Sequence, residues 1–160
     1  MSVINKLRIE ILKKILENGS LTRPELVKLT GIRAATVFEA IDTLKKEGML
    51  QEPERTGRHT GRKAPRLTLA PDRMWLVGLD FQPRETIGVI TDMTGVIRFQ
   101  AQLPALNRAS RSSCRNEIRE VLRMLRNSAG DNWSKVAGIG FADPGLVDVK
   151  SGISIRAVNV

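Results

Sequence analysis

Apolar residues recur at helical spacing in two short runs between residues 20 and 50, and a single glycine, Gly31, separates the runs. The first run predicts a helix beginning at Thr22, because its hydroxyl can cap the helix while Glu25 reaches back to complete a capping box. Pro24 suits the first turn, where its missing N–H costs no helical hydrogen bond. The positions expected to face inward are Leu26 and Leu29.

The second run predicts a helix with one buried face and one face left for a ligand. Gly31 supplies a sharp turn before it, and Ile32 can fill the core at that turn. The expected buried positions are Val37, Ala40, Ile41 and Leu44. Two short helices joined in this way are typical of a helix-turn-helix, which places its second helix in the major groove of DNA.

Flanking patterns extend the motif over residues 1–73. Residues 3–17 predict a helix ended by Asn18-Gly19, and its apolar stripe is formed by Leu7, Ile11, Leu12, Ile15 and Leu16. Residues 49–52 and 66–69 predict two short strands around a glycine-rich basic loop. Such a pair is typical of the wing of a winged helix-turn-helix, so residues 1–73 are predicted to form a DNA-binding domain.

A strand-rich pattern begins at Met74. Three apolar-rich runs predict a β-meander, and they span residues 74–81, 84–92 and 96–103. Residues 112–127 then predict a helix capped by Ser113, with its buried face formed by Ile118, Val121, Leu122 and Leu125.

Two further strands are predicted after this helix. Residues 136–142 are expected to form a buried strand that stops at the turn Asp143-Pro144-Gly145, and residues 153–158 begin another. Three strands, a helix and a strand open a mixed-sheet α/β layer fold. Residues 74–160 are therefore predicted to be a second, α/β domain.

The charge balance adds a polyanionic partner to this picture. The chain has 160 residues, a formal net charge of +9 and a pI of about 10.4. Residues 1–73 carry 15 Lys and Arg against 9 Asp and Glu, whereas residues 74–160 carry 11 against 8. Neutralised phosphates release counterions and add salt-dependent affinity, so double-stranded DNA is the expected partner. Charge alone would fit RNA or a membrane equally well.

Cysteine usage and hydropathy favour a reducing, cytoplasmic location. Cys114 is the only cysteine, which rules out a disulfide within the chain. No run approaches the roughly 18 apolar residues of a membrane span, and the N-terminus lacks a secretory apolar core. With one cysteine and one histidine, His59, no zinc site is expected.

Two segments of the second half resemble the ROK family, the group of repressors, open reading frames and sugar kinases, and specifically its repressor branch. VGLDFQPRETIGVITDMTGVI is similar to the family's first hairpin, and GIGFADPGLVDVKSGISIRAVNV resembles its G-I-G-x-x-x-P-G-x-V-D…G segment. The winged helix-turn-helix in front of them completes the resemblance. It implies that an actin-like, ribonuclease H-like α/β domain follows the wing, and that a sugar effector acts on longer relatives.

The first hairpin departs from the pattern of the kinase members. There it resembles D-x-G-x-T, and the matching positions here are Asp80, Gln82 and Arg84. Gln82 adds a side chain where close approach is needed and Pro83 removes an N–H donor, so this loop is not expected to cradle phosphates. No catalytic residue, metal or cofactor is expected, and a ROK-type sugar kinase is the disfavoured alternative.

The resemblance also implies that the chain is an incomplete member. Family members continue past the position of Val160, so the chain is expected to end inside the first actin-like lobe. Because such repressors pair through their large C-terminal domain, homo-oligomers are expected to be impaired. The unfinished sheet is then expected to expose residues 136–142 and 153–158 at an unpaired edge. A nonfunctional remnant that retains only DNA binding is the other alternative.

Four residues of the second motif helix are the candidates for base contacts: Ala35, Thr36, Phe38 and Glu39. They lie in its first turns, away from the predicted buried row. Ala35 and Phe38 suit thymine methyl groups, Thr36 suits a base edge or a phosphate, and Glu39 suits the cytosine N4 amino group. Glu39 as an ordinary surface residue, and Phe38 packed beneath the wing, are the alternatives.

Basic residues around the motif are candidates for backbone contacts. Arg33 stands where a Ser, Thr or Asp cap is usual, and Arg23 lies near the start of the first motif helix. The wing supplies Arg58, Arg62, Lys63 and Arg66, whose side chains suit phosphates or a narrow A/T-rich minor groove. The alternatives are solvated arginines at positions 23 and 33 and a flexible linker at the wing.

Charged groups elsewhere are expected to be structural. Asp92 and Asp143 occupy turns, which are ordinary positions for aspartate. The arginines at 115, 119, 123 and 126 are expected to form a solvated helix face in preference to a second nucleic-acid patch. The sequence as a whole predicts a sequence-specific DNA-binding transcriptional regulator and, by resemblance, a repressor of sugar-metabolism genes.

Overall fold

The computed structural model describes residues 3–53, 64–105, 111–143 and 145–156. The chain divides into two compact units, Met1–Arg73 (unit 1) and Met74–Val160 (unit 2). In the described ranges, no helix is both long and apolar enough to cross a membrane.

Unit 1 consists of three helices and a small antiparallel sheet. Its elements are α1 (Val3–Asn18), β1 (Leu21–Thr22), α2 (Arg23–Thr30), α3 (Ala34–Lys46), β2 (Leu50–Gln51) and β3 (Arg66–Leu69), followed by a 3-10 turn at Pro71–Arg73. The sheet has the order β1-β3-β2, with Leu21 opposite Leu67 and Leu50 opposite Leu69. Strand β1, which no sequence pattern predicted, ties the start of α2 to β3.

The core of unit 1 is formed by one row of each helix and by the inward side chains of the sheet. Its most buried members are Leu7, Ile11, Ile15, Leu26, Val37, Ile41, Leu44 and Leu67. The predicted buried row of α3 is therefore confirmed.

Two inward-facing predictions for unit 1 are wrong. Leu16 is 50% exposed and Leu29 is 45% exposed. The buried row of α1 repeats every four residues through Ile15, so Leu16, one residue later, is rotated by about 100° off that row. Helix α2 has only eight residues, and Leu26 is the buried side chain that it contributes.

The N-terminus of α2 carries the predicted capping box. The Thr22 hydroxyl accepts a hydrogen bond from the Glu25 backbone N–H (3.4 Å), and the Thr22 backbone N–H donates to Glu25 Oε2 (2.7 Å). Hydrogen bonds from the Thr22 backbone and side chain hold the pKa of the Glu25 carboxyl below its ordinary value. Gly31 ends the helix at φ +66°, a left-handed conformation in which its N–H bonds to Val27 O. Sequence-local signals therefore fix both ends of α2.

Unit 2 is an α/β layer with a mixed sheet, as predicted. Its elements are β4 (Trp75–Phe81), β5 (Glu85–Asp92), β6 (Ile97–Pro104), α4 (Arg111–Ala129), a 3-10 helix (Gly130–Lys135), β7 (Val136–Ala142), β8 (Leu146–Asp148) and β9 (Ile153–Arg156). The main sheet has the order β6-β5-β4-β7, in which β4 and β7 are parallel and the other pairs antiparallel. Strands β8 and β9 form a separate ribbon. Because α4 begins at Arg111, Ser113 lies inside its first turn, and its predicted capping role is wrong.

Helix α4 packs across β5 and β6 and closes the core of unit 2. That core contains Trp75, Val77, Leu79, Ile90, Ala101, Val121, Leu125 and Ala129. Ile118 and Leu122 pack against it, so the predicted inward face of α4 is confirmed. Within this layer the Thr86 hydroxyl donates a buried hydrogen bond to Glu117 Oε1 at 2.6 Å.

Strand β7 was expected to be buried, and this prediction is wrong. Ile139 is 55% exposed and Phe141 is 49% exposed. The strand lies at the edge of the main sheet, and α4 lies over β5 and β6 instead of over β7. Its exposure matches the other expectation, that an apolar strand would lie at an unpaired edge.

Gly88→Ala should destabilise unit 2, because a Cβ at Gly88 would lie 2.6 Å from Val121 Cγ1 and 2.8 Å from Leu125 Cδ1. Val121 is buried and β-branched, so it has little rotamer freedom with which to move away. We expect a loss of about 1–3 kcal/mol in the free energy of unfolding. Urea unfolding followed by tryptophan fluorescence measures it, since both tryptophans, Trp75 and Trp133, belong to unit 2.

Gly138→Ala is the matched control for this variant. Its Cβ would meet Leu76 Cδ2 at 3.7 Å, an ordinary contact. Equal unfolding midpoints for the two variants would contradict the close packing of α4 on β5.

Thr22→Ala should destabilise unit 1 by about 1 kcal/mol, because it removes the hydroxyl that caps α2. The matched control is Thr43→Ala, whose hydroxyl bonds only to the Glu39 carbonyl one turn back within α3 (2.9 Å), so its loss should be neutral or slightly stabilising. Thermal unfolding by circular dichroism compares the variants, while tryptophan fluorescence should stay unchanged. A Thr22→Ala transition that coincides with that of the control would show that the cap contributes nothing.

Candidate nucleic-acid interface

Helix α3 has two sharply different faces. Val37, Ile41 and Leu44 are buried, and Ala40 is only 4% exposed. The opposite side, here called the α3 outer face, consists of the exposed residues Ala35, Thr36, Phe38, Glu39, Asp42 and Lys46. All four residues predicted to contact bases therefore lie together on one exposed surface.

The N-terminus of α3 differs from that of α2 in how its backbone donors are satisfied. Arg33 occupies the capping position with non-helical backbone (φ −54°, ψ 137°), and its side chain makes no capping hydrogen bond. Its carbonyl accepts the first helical hydrogen bond, from Val37 N at 3.1 Å. Among the described residues, no side chain caps the first N–H groups of α3, and the Arg33 guanidinium is exposed, whereas Thr22 accepts the Glu25 N–H at the start of α2.

Arg23 crosses from α2 to the α3 outer face. Its Nη2 donates to Asp42 Oδ1 at 2.5 Å, and its Cζ lies 5.4 Å from the centroid of the Phe38 ring. The hydrogen bond from Arg23, with the charges of Arg23 and the nearby lysines, outweighs desolvation and lowers the pKa of the Asp42 carboxyl. Arg23 was predicted to contact a phosphate. Its pairing with Asp42, which follows Phe38 by one helical turn, was not predicted.

Arg66 lies at the first residue of β3, beside the start of α2. Its Nε donates to Ser20 Oγ at 2.8 Å and its Nη2 to the Ser20 carbonyl at 2.6 Å, while Nη1 lies 3.8 Å from Glu25 Oε1. The side chain nevertheless remains 51% exposed. Arg66 therefore joins the start of β3 to the capping box. The other predicted wing contacts, Arg58, Arg62 and Lys63, lie outside the described residues.

The hairpin between β4 and β5 is closed by its own hydrogen bonds. Gln82 N donates to Glu85 O at 2.9 Å and Glu85 N to Gln82 O at 3.4 Å. The Gln82 side-chain amide donates to Asp80 Oδ2 at 2.6 Å. The two backbone N–H groups that flank the turn thus point across the hairpin, and Pro83 has none to offer.

Comparisons with known proteins agree with the resemblance found in the sequence, although no protein-family model matches the chain. The chain is 28% identical to a xylose repressor of Bacillus subtilis (strain 168) over 138 residues, which are 86% of this chain and 36% of that protein. It is 27% identical to a putative xylose repressor of Caldicellulosiruptor sp. (strain Rt8B.4) over 157 residues, which are 98% of this chain and 39% of that protein. The chain thus spans less than two fifths of the length of these curated relatives.

The fold also matches a solved structure. The crystal structure of a ROK family transcriptional regulator, a homologue of the E. coli MLC protein, superposes with a TM-score of 0.71 at 14% identity, over 96% of this chain and 39% of that one. An identity this low supports a common fold and nothing finer. The chain therefore shares the fold of a ROK family regulator and resembles two relatives that are named as repressors.

Proposed function

We propose that the chain acts in a DNA-binding transcriptional repressor of the ROK type. In this proposal, residues 1–73 are a winged helix-turn-helix and residues 74–160 are part of an actin-like ROK domain. The observation that carries it is the α3 outer face, which is exposed along the whole helix while the opposite row is buried. The repressor names of the relatives support the same function.

In this proposal, residues in the first turns of the α3 outer face contact the bases. Ala35 and Phe38 supply apolar contacts for thymine methyl groups, and Phe38 is 37% exposed, so it does not lie in the core. Thr36 suits a base edge or a phosphate. Glu39 is exposed and suits the amino group of cytosine.

Phosphate contacts fall to Arg33 and to the wing. The Arg33 side chain and the uncapped N-terminus of α3 present a cation and backbone donors at the same place. Arg66 fixes the foot of the wing to α2, and Arg58, Arg62 and Lys63 extend the basic surface into a phosphate track or minor groove. The charge excess of residues 1–73 supports this arrangement.

The remaining parts of the proposal rest on the relatives, which are longer than this chain. A sugar effector, control of sugar-metabolism genes and a cytoplasmic location are inferred from the names of the relatives. An enzymatic role is not proposed, because the Gln82–Glu85 turn engages its flanking N–H groups within the hairpin and the relatives are named as repressors. Phosphate cradles depend on backbone N–H groups that are aimed outward.

Arg33→Ala should flatten the salt dependence of binding to a random-sequence duplex, since a lost phosphate contact lowers the slope of log K against log salt by about 0.9. The matched control is Arg115→Ala, an exposed arginine of α4 in unit 2. Fluorescence anisotropy between low and physiological salt measures both slopes. An unchanged slope for Arg33→Ala removes Arg33 from the interface, and an equal fall for the control assigns phosphate binding to the arginine face of α4 as well.

Glu39→Gln should change the preferred base at one operator position, because a carboxylate accepts from cytosine whereas an amide pairs with adenine. Selection from a randomised duplex pool gives the preference, and we expect a shift of about 1–3 kcal/mol between the two bases. Glu17→Gln, an exposed glutamate on α1, makes the same chemical change away from α3 and should leave the selected sequence unaltered. Identical selected sequences for Glu39→Gln and the parent chain would exclude Glu39 from base recognition.

A further inference from the structure

Arg23 makes two contacts on the α3 outer face, and both partners belong to the same helical turn. Asp42 accepts its hydrogen bond at 2.5 Å, and Phe38 lies beneath its guanidinium at 5.4 Å. Residues four apart are neighbours on a helix surface, so one planar cation can engage the two side chains together. The contact is between helices, because Arg23 begins α2.

The exposure of the Arg23 and Asp42 side chains argues against a phosphate contact for Arg23. The Arg23 side chain is only 25% exposed, whereas that of Asp42 is 55% exposed. A phosphate-binding arginine has to present its N–H groups outward, but Arg23 directs its Nη2 along the protein surface to a carboxylate. A phosphate bound to Arg23 would also lie close to the negatively charged Asp42 carboxylate, which Arg23 already neutralises.

Phe38, by contrast, gains a defined position from this contact. An exposed aromatic side chain normally samples several rotamers and loses that freedom on binding, which weakens the complex. A guanidinium over its ring restricts it beforehand, through an attraction of the cation–π type. Asp42 in turn holds the guanidinium in place.

We propose that Arg23 is a positioning residue for base recognition: clamped by Asp42, it fixes the Phe38 ring in the orientation that contacts DNA. This proposal rests on the proposed function, since it concerns the selectivity of the same surface. It replaces the phosphate contact expected for Arg23 from the sequence. The two roles make opposite predictions for a substitution that keeps the charge.

The decisive variant is Arg23→Lys, studied in the full chain beside Arg23→Gln. Lysine keeps a cation for a phosphate but lacks the planar group that spans the carboxylate and the ring. For a positioning role, both variants should lower the ratio of specific to random-sequence affinity by about three- to tenfold, the size of a cation–π contact, with little change in salt slope. If Arg23 instead contacts a phosphate, Arg23→Lys should resemble the parent chain. Arg23→Gln should then lower the slope of log K against log salt by about 0.9 and leave the ratio of specific to random-sequence affinity unchanged. That result would overturn the proposal.

A double-mutant cycle with Phe38→Ala tests whether the effect passes through the ring. If Arg23 acts by positioning Phe38, Arg23→Lys should change the affinity ratio in the parent chain and have no further effect when Phe38 is absent. Additive effects of the two substitutions would overturn the proposal, as would an unchanged ratio for Arg23→Lys in the parent.

An NMR measurement on the free chain separates this proposal from the proposed function. The Phe38 ring resonances should shift and average toward random-coil values in Arg23→Lys and in Asp42→Asn, while those of Phe99 in unit 2 stay fixed as an internal control. Unmoved Phe38 resonances would overturn the positioning role. A parent chain that binds selected and random duplexes equally would instead overturn the proposed function, and the ring measurement would still decide whether Arg23 orders Phe38.

Discussion

Because Val37, Ile41 and Leu44 are held in the core of unit 1, the rotation of α3 about its own axis is fixed. A helix that buries one row cannot turn to present another without exposing that row, and exposing three such side chains would cost several kcal/mol. Ala35, Thr36, Phe38 and Glu39 are therefore held on the exposed side of α3 by side chains that are themselves buried. The proposed recognition surface therefore depends on that packing before it depends on any polar contact.

The two helices that follow one another in unit 1 use their N-termini differently. At the start of α2, Thr22 accepts the Glu25 N–H and Glu25 accepts the Thr22 N–H, and Arg66 lies beside this pair. Arg33 brings a cation and no cap to the start of α3. A helix without a capping side chain is less stable by about 1 kcal/mol, unless an external anion takes the place of the cap. This asymmetry distinguishes α2 from α3, the helix that we propose to bind DNA.

Local patterns predicted much of this structure, and contacts between distant residues account for what they missed. The capping box, the αL glycine at Gly31 and the buried row of α3 each depend on residues a few positions apart, so the sequence contains the whole signal. Leu29 and β7 also matched local patterns, but their burial depends on how much neighbouring structure covers them: α2 is short, and α4 lies over β5 and β6 instead of over β7. Strand β1 was missed because its two residues are a strand only through pairing with β3, more than 40 residues away.

The roles of three arginines in unit 1 likewise depend on contacts that local sequence patterns do not show. The sequence alone does not distinguish Arg23, Arg33 and Arg66, and each of them could be assigned to a phosphate. Their partners separate them, because Asp42 and Phe38 hold the first, Ser20 and Glu25 hold the last, and Arg33 pairs with no acidic side chain in the described ranges. A cation that is already paired adds little to the affinity for a polyanion, since its counter-charge is supplied by the protein, but it can order the groups around it. A count of basic residues therefore overestimates how many of them contact phosphate, because some of them order neighbouring side chains instead.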